Sequence, residues 1–445
     1  MADYWLSTYG AFGDKYDYGY GIAHDSLNSL YIAGSTRNLG ISGANSEPTT
    51  WKYDRYGQFQ SAVTISTSQA SNDKFSSVAV DSSNNVYSVG HINPASNEEI
   101  YIKKVNASGV IQWQKLINTL GSGGLVAEAG SAIDSSGNII IAATAGFSGT
   151  NNIYVVKLNS SGVIQWQKNF HPTYPGDTNS NDGARCVAVD SSDNIFVGGH
   201  ASGSPDPLFV MKLNSSGTSQ WQRCLNTDRS TSTNNGEAYD IAVDSSGNVL
   251  VCGKYGFDTS IVWKLNNSNG LIQWGRQLYT KVNNTVKDSA FNGVTTDSSD
   301  NVYVVGYSDG TTVEGGKEAM LAKYNSAGSL LWQRSFNTNP SSLTPKTEFY
   351  AIALDSNQDM IITGSARPDD FNSYQFQQDM IVVKLPNDGS LTGTYGIYTY
   401  EASSHTSYTA SEEQVAATES NSTPALTAST ASETILQEYL RITVE

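Results

Sequence analysis

One pattern recurs seven times along this chain and constrains everything else about it. Each copy is marked by an aspartate opening a turn of the type Asp-Ser-Ser-x-Asn: Asp25, Asp81, Asp134, Asp190, Asp244, Asp297 and Asp355, spaced 56, 53, 56, 54, 53 and 58 residues apart. A period of this length means that each copy is one supersecondary unit, stable only when stacked on its neighbours. Within a copy there are four short runs rich in Val, Ile and aromatics; in the fourth copy they are 186–189, 194–199, 208–213 and 218–223. Asp, Asn, Ser and Gly bound these runs, the signature of antiparallel strands joined by tight turns.

Two turns are shared by most copies. In the first, Asp-Ser-Ser-x-Asn, short polar side chains cap the turn's own amides. In the second, Asn-Ser-Ser-Gly at 159–162 and 214–217, the glycine supplies the positive φ of a tight hairpin. No long amphipathic helix is legible before residue 430. Four antiparallel strands repeated seven times predict an all-β chain folded as a seven-bladed β-propeller. Small residues two places before the aspartate (Ala23, Ala79, Ala132, Ala188, Ala242 and Ala353, with Thr295 the exception) place the first strand at the crowded axis. Trp113, Trp166, Trp221, Trp274 and Trp332 lie on the fourth strands, where blades diverge and large rings are expected to fill the wedge.

The ends of the chain complement one another. Trp5 lies 20 residues before Asp25, as a fourth-strand Trp should, but no strands precede it. The last copy has three strand-like runs and Gly393 where its Trp belongs. Residues 3–8 are therefore expected to close the ring as the outer strand of the last blade, which removes a fraying edge. Ser61 replaces Trp in the first full copy, so that blade should be the loosest.

The segments WLSTYGAFGDKYDYGYGIAHD at 5–25, DSSNNVYSVG at 81–90 and DSSDNVYVVG at 297–306, with KLNSSG at 157–162 and 212–217, resemble the SBBP beta-propeller repeat family of bacterial and phage proteins. The resemblance covers about residues 3–390 and implies the propeller fold without a shared activity. The division expected is 1–388 for the propeller and 389–445 for a Ser/Thr-rich, low-complexity C-terminal arm.

Composition excludes several classes. A formal charge of −16 repels nucleic-acid phosphates and anionic membranes, so neither is expected as a partner. No apolar run reaches the ~20 residues of a spanning helix, and residues 1–10 lack the basic and apolar regions of a signal peptide. Cys186, Cys224 and Cys252 are odd in number and sit on different strands, so buried thiols are expected rather than a disulfide framework. His24, His91, His171, His200 and His405 are far apart, with no zinc-ligand spacing. Each Asp-Ser-Ser-x-Asn turn offers one carboxylate, which suits turn capping better than calcium. No metal and no cofactor are expected. Asp177 with Asp182, and Asp369 with Asp370, are carboxylate pairs without an evident activating partner.

Strand alternation sends both repeated turns to one face and the long, unrepeated loops to the other, and binding groups gather on such loops. Candidate sugar-stacking residues there are Tyr174, Tyr255, Phe257, Tyr307, Phe371 and Tyr374. The Ser/Thr-rich run of 402–434 buries little and is expected to be extended or disordered, and the apolar end segment with Ile435, Leu436, Tyr439 and Leu440 is a candidate anchor. This arm, with GSLTGTYGIYTYEAS before it, loosely resembles tails of structural proteins from tailed phages, cyanophages in particular. On that resemblance the expected function is a non-enzymatic virion protein, tail, baseplate or fibre associated, whose arm docks on other virion proteins. An adhesin binding a cell-surface glycan from an extracellular position is the alternative. A polysaccharide-active enzyme, a lyase or hydrolase using the central channel, is the remote one.

Overall fold

In the computed structural model, residues 4–9, 16–37, 46–66, 72–93, 99–117, 128–147, 150–172, 181–203, 206–227, 235–256, 259–279, 281–282, 285–309, 316–338, 346–367, 378–395, 398–402, 406–409, 412–416 and 441–444 are described. They form seven antiparallel sheets of at least four strands each, the blades of a propeller. The inner strands are Asp17–His24, Lys74–Val80, Ala129–Ile133, Gly183–Val189, Gly236–Val243, Ser289–Thr296 and Thr347–Leu354. Each touches the next, and the last touches the first, so the ring is closed. The closing strand is Trp5–Tyr9, which pairs with Asp379–Leu385 of the seventh blade in the register Trp5↔Lys384 to Tyr9↔Met380.

Seven apolar clusters fill the junctions between blades, one per junction. The largest enclosed rings include Trp51 and Trp263 on third strands and Tyr87 and Tyr303 on second strands. The fourth-strand tryptophans fill the wedge as expected, Trp221 and Trp274 buried within it and the others packed against its edge, and they have a second part. Trp113, Trp166 and Trp332 are only half-buried. Each lies on the hairpin glycine of the following blade: Trp113 on Gly162, Trp166 on Gly217, Trp332 on Gly389, and Trp5 on Gly57 across the closure. The indole N–H of Trp113 donates to Ser160 O at 3.1 Å, and that of Trp5 to Arg55 O at 3.2 Å. Thus the hairpin glycine meets two demands, a positive φ and a face flat enough for an indole. A Cβ added at Gly109, opposite Ser61, would meet nothing within 4 Å, so the first junction lacks this contact.

The repeated aspartates do cap turns. In all seven copies one carboxylate oxygen accepts the amides two and four residues on, for example Ser136 N and Asn138 N to Asp134 Oδ1, both at 2.9 Å. The other oxygen often meets a third-strand lysine: Lys157 at 2.7 Å from Asp134, Lys264 at 2.8 Å from Asp244, Lys384 at 2.7 Å from Asp355. Neighbouring turns are also tied together. Ser135 N donates to Asp193 Oδ1 at 2.9 Å and Ser245 N to Asp300 Oδ1 at 2.9 Å. Ser356 N donates to Asn28 Oδ1 at 3.2 Å, closing the ring at its narrow end. Where the acceptor position is Gly137 or Gly247, there is no side chain to make the link.

Part of the C-terminal arm adds strands to blades, two of them within the run of 402–434 expected to be extended or disordered. Gly393–Tyr395 and Tyr398–Ala402 extend the sixth blade, Thr406–Thr409 the fifth, Glu412–Ala416 the fourth and Arg441–Val444 the first. Tyr398 and Tyr400 are buried against Phe336 in the core between the sixth and seventh blades. Ile435, Leu436, Tyr439 and Leu440 lie outside the described residues.

Candidate active site at the loop end of the channel

The site begins with a defect in the inner strands. In six blades the ladder between first and second strands skips one inner residue: Tyr20, Ser76, Arg185, Tyr239, Asn292 and Tyr350. Each is a β-bulge, which frees a residue from pairing and re-aims its side chain. In the third blade the described ladder starts at the equivalent residue, Ala129, paired in register with Ala143. All seven residues line one open cavity of about 540 Å³ in the channel, at the end where the inner strands begin.

A glycine on the facing second strand explains the bulge. At Gly34, Gly90, Gly199, Gly253, Gly306 and Gly364 an added Cβ would lie 1.7–2.0 Å from an inner-strand carbonyl oxygen. That approach is open only to glycine. The third blade, the one without a described bulge, has Ala143 at this place.

Charged groups surround the bulge ring. Glu128 bridges two cations, with Lys74 Nζ 3.2 Å from Oε1 and Arg185 Nη1 2.6 Å from Oε2. Arg185 Nε lies 2.5 Å from Glu237 Oε1. On the other side Lys317 lies 3.1 Å from Glu348, and Lys254 2.5 Å from Asp288. The cations also rest on tyrosine rings: Lys74 on Tyr20 at 4.8 Å, Arg185 on Tyr239 at 4.9 Å, Lys317 on Tyr307 at 3.8 Å. Tyr350 OH donates to Glu348 Oε2 at 3.3 Å and lies 3.2 Å from Ser365 Oγ.

These surroundings set the protonation states. Burial pulls the Glu128 carboxyl upward, but Arg185 and Lys74 outweigh it and hold it at about 2. Burial, and then nearby carboxylates or tyrosines, push the phenols of Tyr20, Tyr239, Tyr307 and Tyr350 above their ordinary value, so at neutral pH they are proton donors. Burial raises Asp240 to about 7. Its carboxylate accepts Val294 N at 2.9 Å and Ile241 N at 2.8 Å, which ties the fifth inner strand to the sixth. The arrangement thus places carboxylate-paired cations and neutral hydroxyls within one cleft.

Of the residues singled out from sequence, Tyr307 lines the cleft. Tyr255 is 4% exposed, packed in the core between the fourth and fifth blades. Tyr174, Phe257, Phe371 and Tyr374 lie outside the described residues, as do Asp177, Asp369 and Asp370. Asp182 is hydrogen-bonded to His171, away from the cleft. The bulge ring itself was not anticipated. Its signal was the residue five places before each turn aspartate, which reads Tyr, Ser, Ala, Arg, Tyr, Asn, Tyr.

No family model matches this chain, and no curated protein matches it. The expected SBBP resemblance therefore extends to the propeller and no further. Among solved structures, the chain is similar to the polysaccharide lyase Uly1, with 11% identity and a TM-score of 0.47 over 85% of this chain and 94% of that one. It is also similar to a PL25 ulvan lyase, with 10% identity and a TM-score of 0.48 over 86% and 96%, and to a PL25 ulvan lyase bound to -[GlcA(1-4)Rha3S]-, with 10% identity and a TM-score of 0.45 over 86% and 96%. At this identity the likeness concerns the fold alone. The expectation of a non-enzymatic virion structural protein is nevertheless corrected. These three solved structures are polysaccharide lyases, and that expectation stood on the composition of an arm, part of which is paired to the blades.

Proposed function

We propose that the loop end of the channel binds an acidic polysaccharide and cleaves it by β-elimination. The observation that carries this reading is the convergence of Lys74, Arg185, Tyr20, Tyr239, Tyr350 and Glu348 on one open cleft. In a chain of net charge −16, Lys74, Arg185 and Lys317 bring cations to one channel mouth, each paired with a carboxylate whose place an acidic ligand can take. Tyrosines and carboxylates beside them suit hydroxylated rings.

Elimination from a uronate asks for three things. Positive charge must stabilise the enolate that forms when the proton on C5 leaves, which is the place of Lys74 and Arg185. A base must take that proton, and an acid must protonate O4 as the C4–O bond breaks and the C4–C5 double bond forms. Glu348 and Tyr350 are hydrogen-bonded to one another and divide these tasks: Glu348 takes the C5 proton and the Tyr350 phenol gives one to O4. Transfer from Glu348 back to Tyr350 across their 3.3 Å contact then resets the pair. One of the ulvan lyases was solved with a glucuronate-containing chain, but the reading for this protein rests on its own channel.

Incubation with a panel of glucuronate, galacturonate, iduronate and mannuronate polymers tests this. Unsaturated uronate ends, seen by ultraviolet absorbance and mass, are the expected product. Saturated ends would make the reaction hydrolysis and overturn the elimination. Binding on a glycan array with no cleavage of any polymer would reduce the protein to a carbohydrate-binding propeller.

A further inference from the structure

We infer that Glu128 occupies, in the free protein, the place of an anionic group of the ligand: Lys74 and Arg185 form a binding site for a carboxylate or sulfate ester, and Glu128 yields it when the polysaccharide binds. The inference rests on the acidic-polysaccharide reading above and deepens it. Each Glu128 oxygen faces a different cation, Lys74 at 3.2 Å and Arg185 at 2.6 Å. A carboxylate or sulfate on a sugar presents the same pair of acceptors.

Three features make the exchange feasible. First, the Glu128 side chain is 38% exposed and sits just before the third inner strand, where the channel residue is only Ala129. Second, neither cation is stranded when Glu128 leaves. Arg185 keeps Glu237 at 2.5 Å, and Lys74 keeps the face of Tyr20 at 4.8 Å. Third, the exchange trades one carboxylate for another and returns Glu128 to water. It is selective for anions because a neutral sugar gives the two cations no replacement for the charge they lose. Bound Glu128 thereby lowers affinity for the ligand and speeds its release, since the ligand must compete with a tethered carboxylate.

The test is calorimetric titration of the full chain carrying Tyr350→Phe, which slows turnover, with and without Glu128→Gln. The probes are a glucuronate oligosaccharide, its carboxyl-reduced twin and a sulfated neutral oligosaccharide. Glu128→Gln should tighten binding of an acidic probe by roughly tenfold and leave the reduced twin unchanged. Adding Lys74→Ala or Arg185→Ala should abolish the gain. A gain confined to the carboxylated or to the sulfated probe assigns the group. Equal affinity for every probe, or a gain shared by the neutral twin, overturns the inference, provided thermal melting shows Glu128→Gln folded. Cleavage is read separately. If the wild type cleaves nothing while Glu128→Gln still tightens anion binding, the elimination reading falls and this one stands. Cleavage without tightening has the opposite meaning.

Discussion

The two ends of the channel are built from the same seven inner strands and have opposite characters. At the turn end the polar groups are spent on the ring itself: Asp134 is consumed by Ser136, Asn138 and Lys157, its counterparts cap their turns in the same way, and neighbouring turns are tied together. At the loop end, five residues earlier, the copies diverge into Tyr20, Ser76, Ala129, Arg185, Tyr239, Asn292 and Tyr350, which line a cavity. Repetition marks what the ring needs in order to close. Variation marks what the ring has been used for. The glycine across from each bulge connects the two, because it lets a repeated strand present an unrepeated side chain.

If this contrast is sound, changes at the two ends must separate. The largest effect is expected at the loop end. Tyr350→Phe removes a proton donor while keeping the ring, and should lower kcat for the polysaccharide by about 10²–10⁴-fold with an unchanged melting temperature; steady-state assay beside calorimetry reads both. At the turn end, Asp134→Ala should do the reverse. It strips two amides of their acceptor and leaves the buried Lys157 without its partner, at a cost of about 3 kcal/mol in denaturant unfolding and no change in kcat. Burial raises the Asp134 carboxyl, but Lys157 and Asn138 more than reverse this and hold it below its ordinary value. This contribution is therefore complete above the unfolded carboxyl pKa and fades as pH falls through the lower folded one.

A smaller effect concerns a buried amine that serves neither end. Lys103 is 1% exposed and donates to Thr50 Oγ1 at 3.1 Å, with no carboxylate paired to it among the described residues. Burial lowers it to about 7. A depressed amine pKa means that the unfolded chain holds the proton more tightly between pH 7 and its ordinary value of 10.5. Stability should therefore rise across that window, and Lys103→Met should remove the slope and stabilise the fold at pH 7 by roughly 1–3 kcal/mol. Urea midpoints at pH 7 and pH 10 check the sign. The smallest effect is at the first junction. Ser61→Trp should rest an indole on the uncovered Gly109 and add about 1 kcal/mol, visible as a modest rise in melting temperature.

Much of the ring was legible in the sequence. Trp5 stood at the right distance from Asp25 to be an outer strand without a blade, and it pairs with the seventh blade. The capping aspartates could be read because the bond is local, two and four residues along the chain. The site could not be read that way. A bulge depends on a glycine such as Gly34, which lies fourteen residues after Tyr20 and acts only once the strands have paired. Nor does any one copy hold a pair such as Lys74 and Arg185, which come from different blades and meet only through Glu128 of a third. Aromatic residues on loops drew attention instead, and of those Tyr307 reaches the cleft. The arm misled because its Ser/Thr-rich composition hid Tyr398 and Tyr400, which are core residues.

The central claim is that these glycines hold the bulges that aim side chains into the channel. Gly364→Ala tests it most directly, since the new Cβ would lie 2.0 Å from Glu348 O. A structure of this variant, solved beside a cleavage assay, should show the seventh propeller blade intact, its inner strand shifted, Tyr350 withdrawn from the cleft and cleavage lost. Tyr350 in its original place with full cleavage would contradict the account.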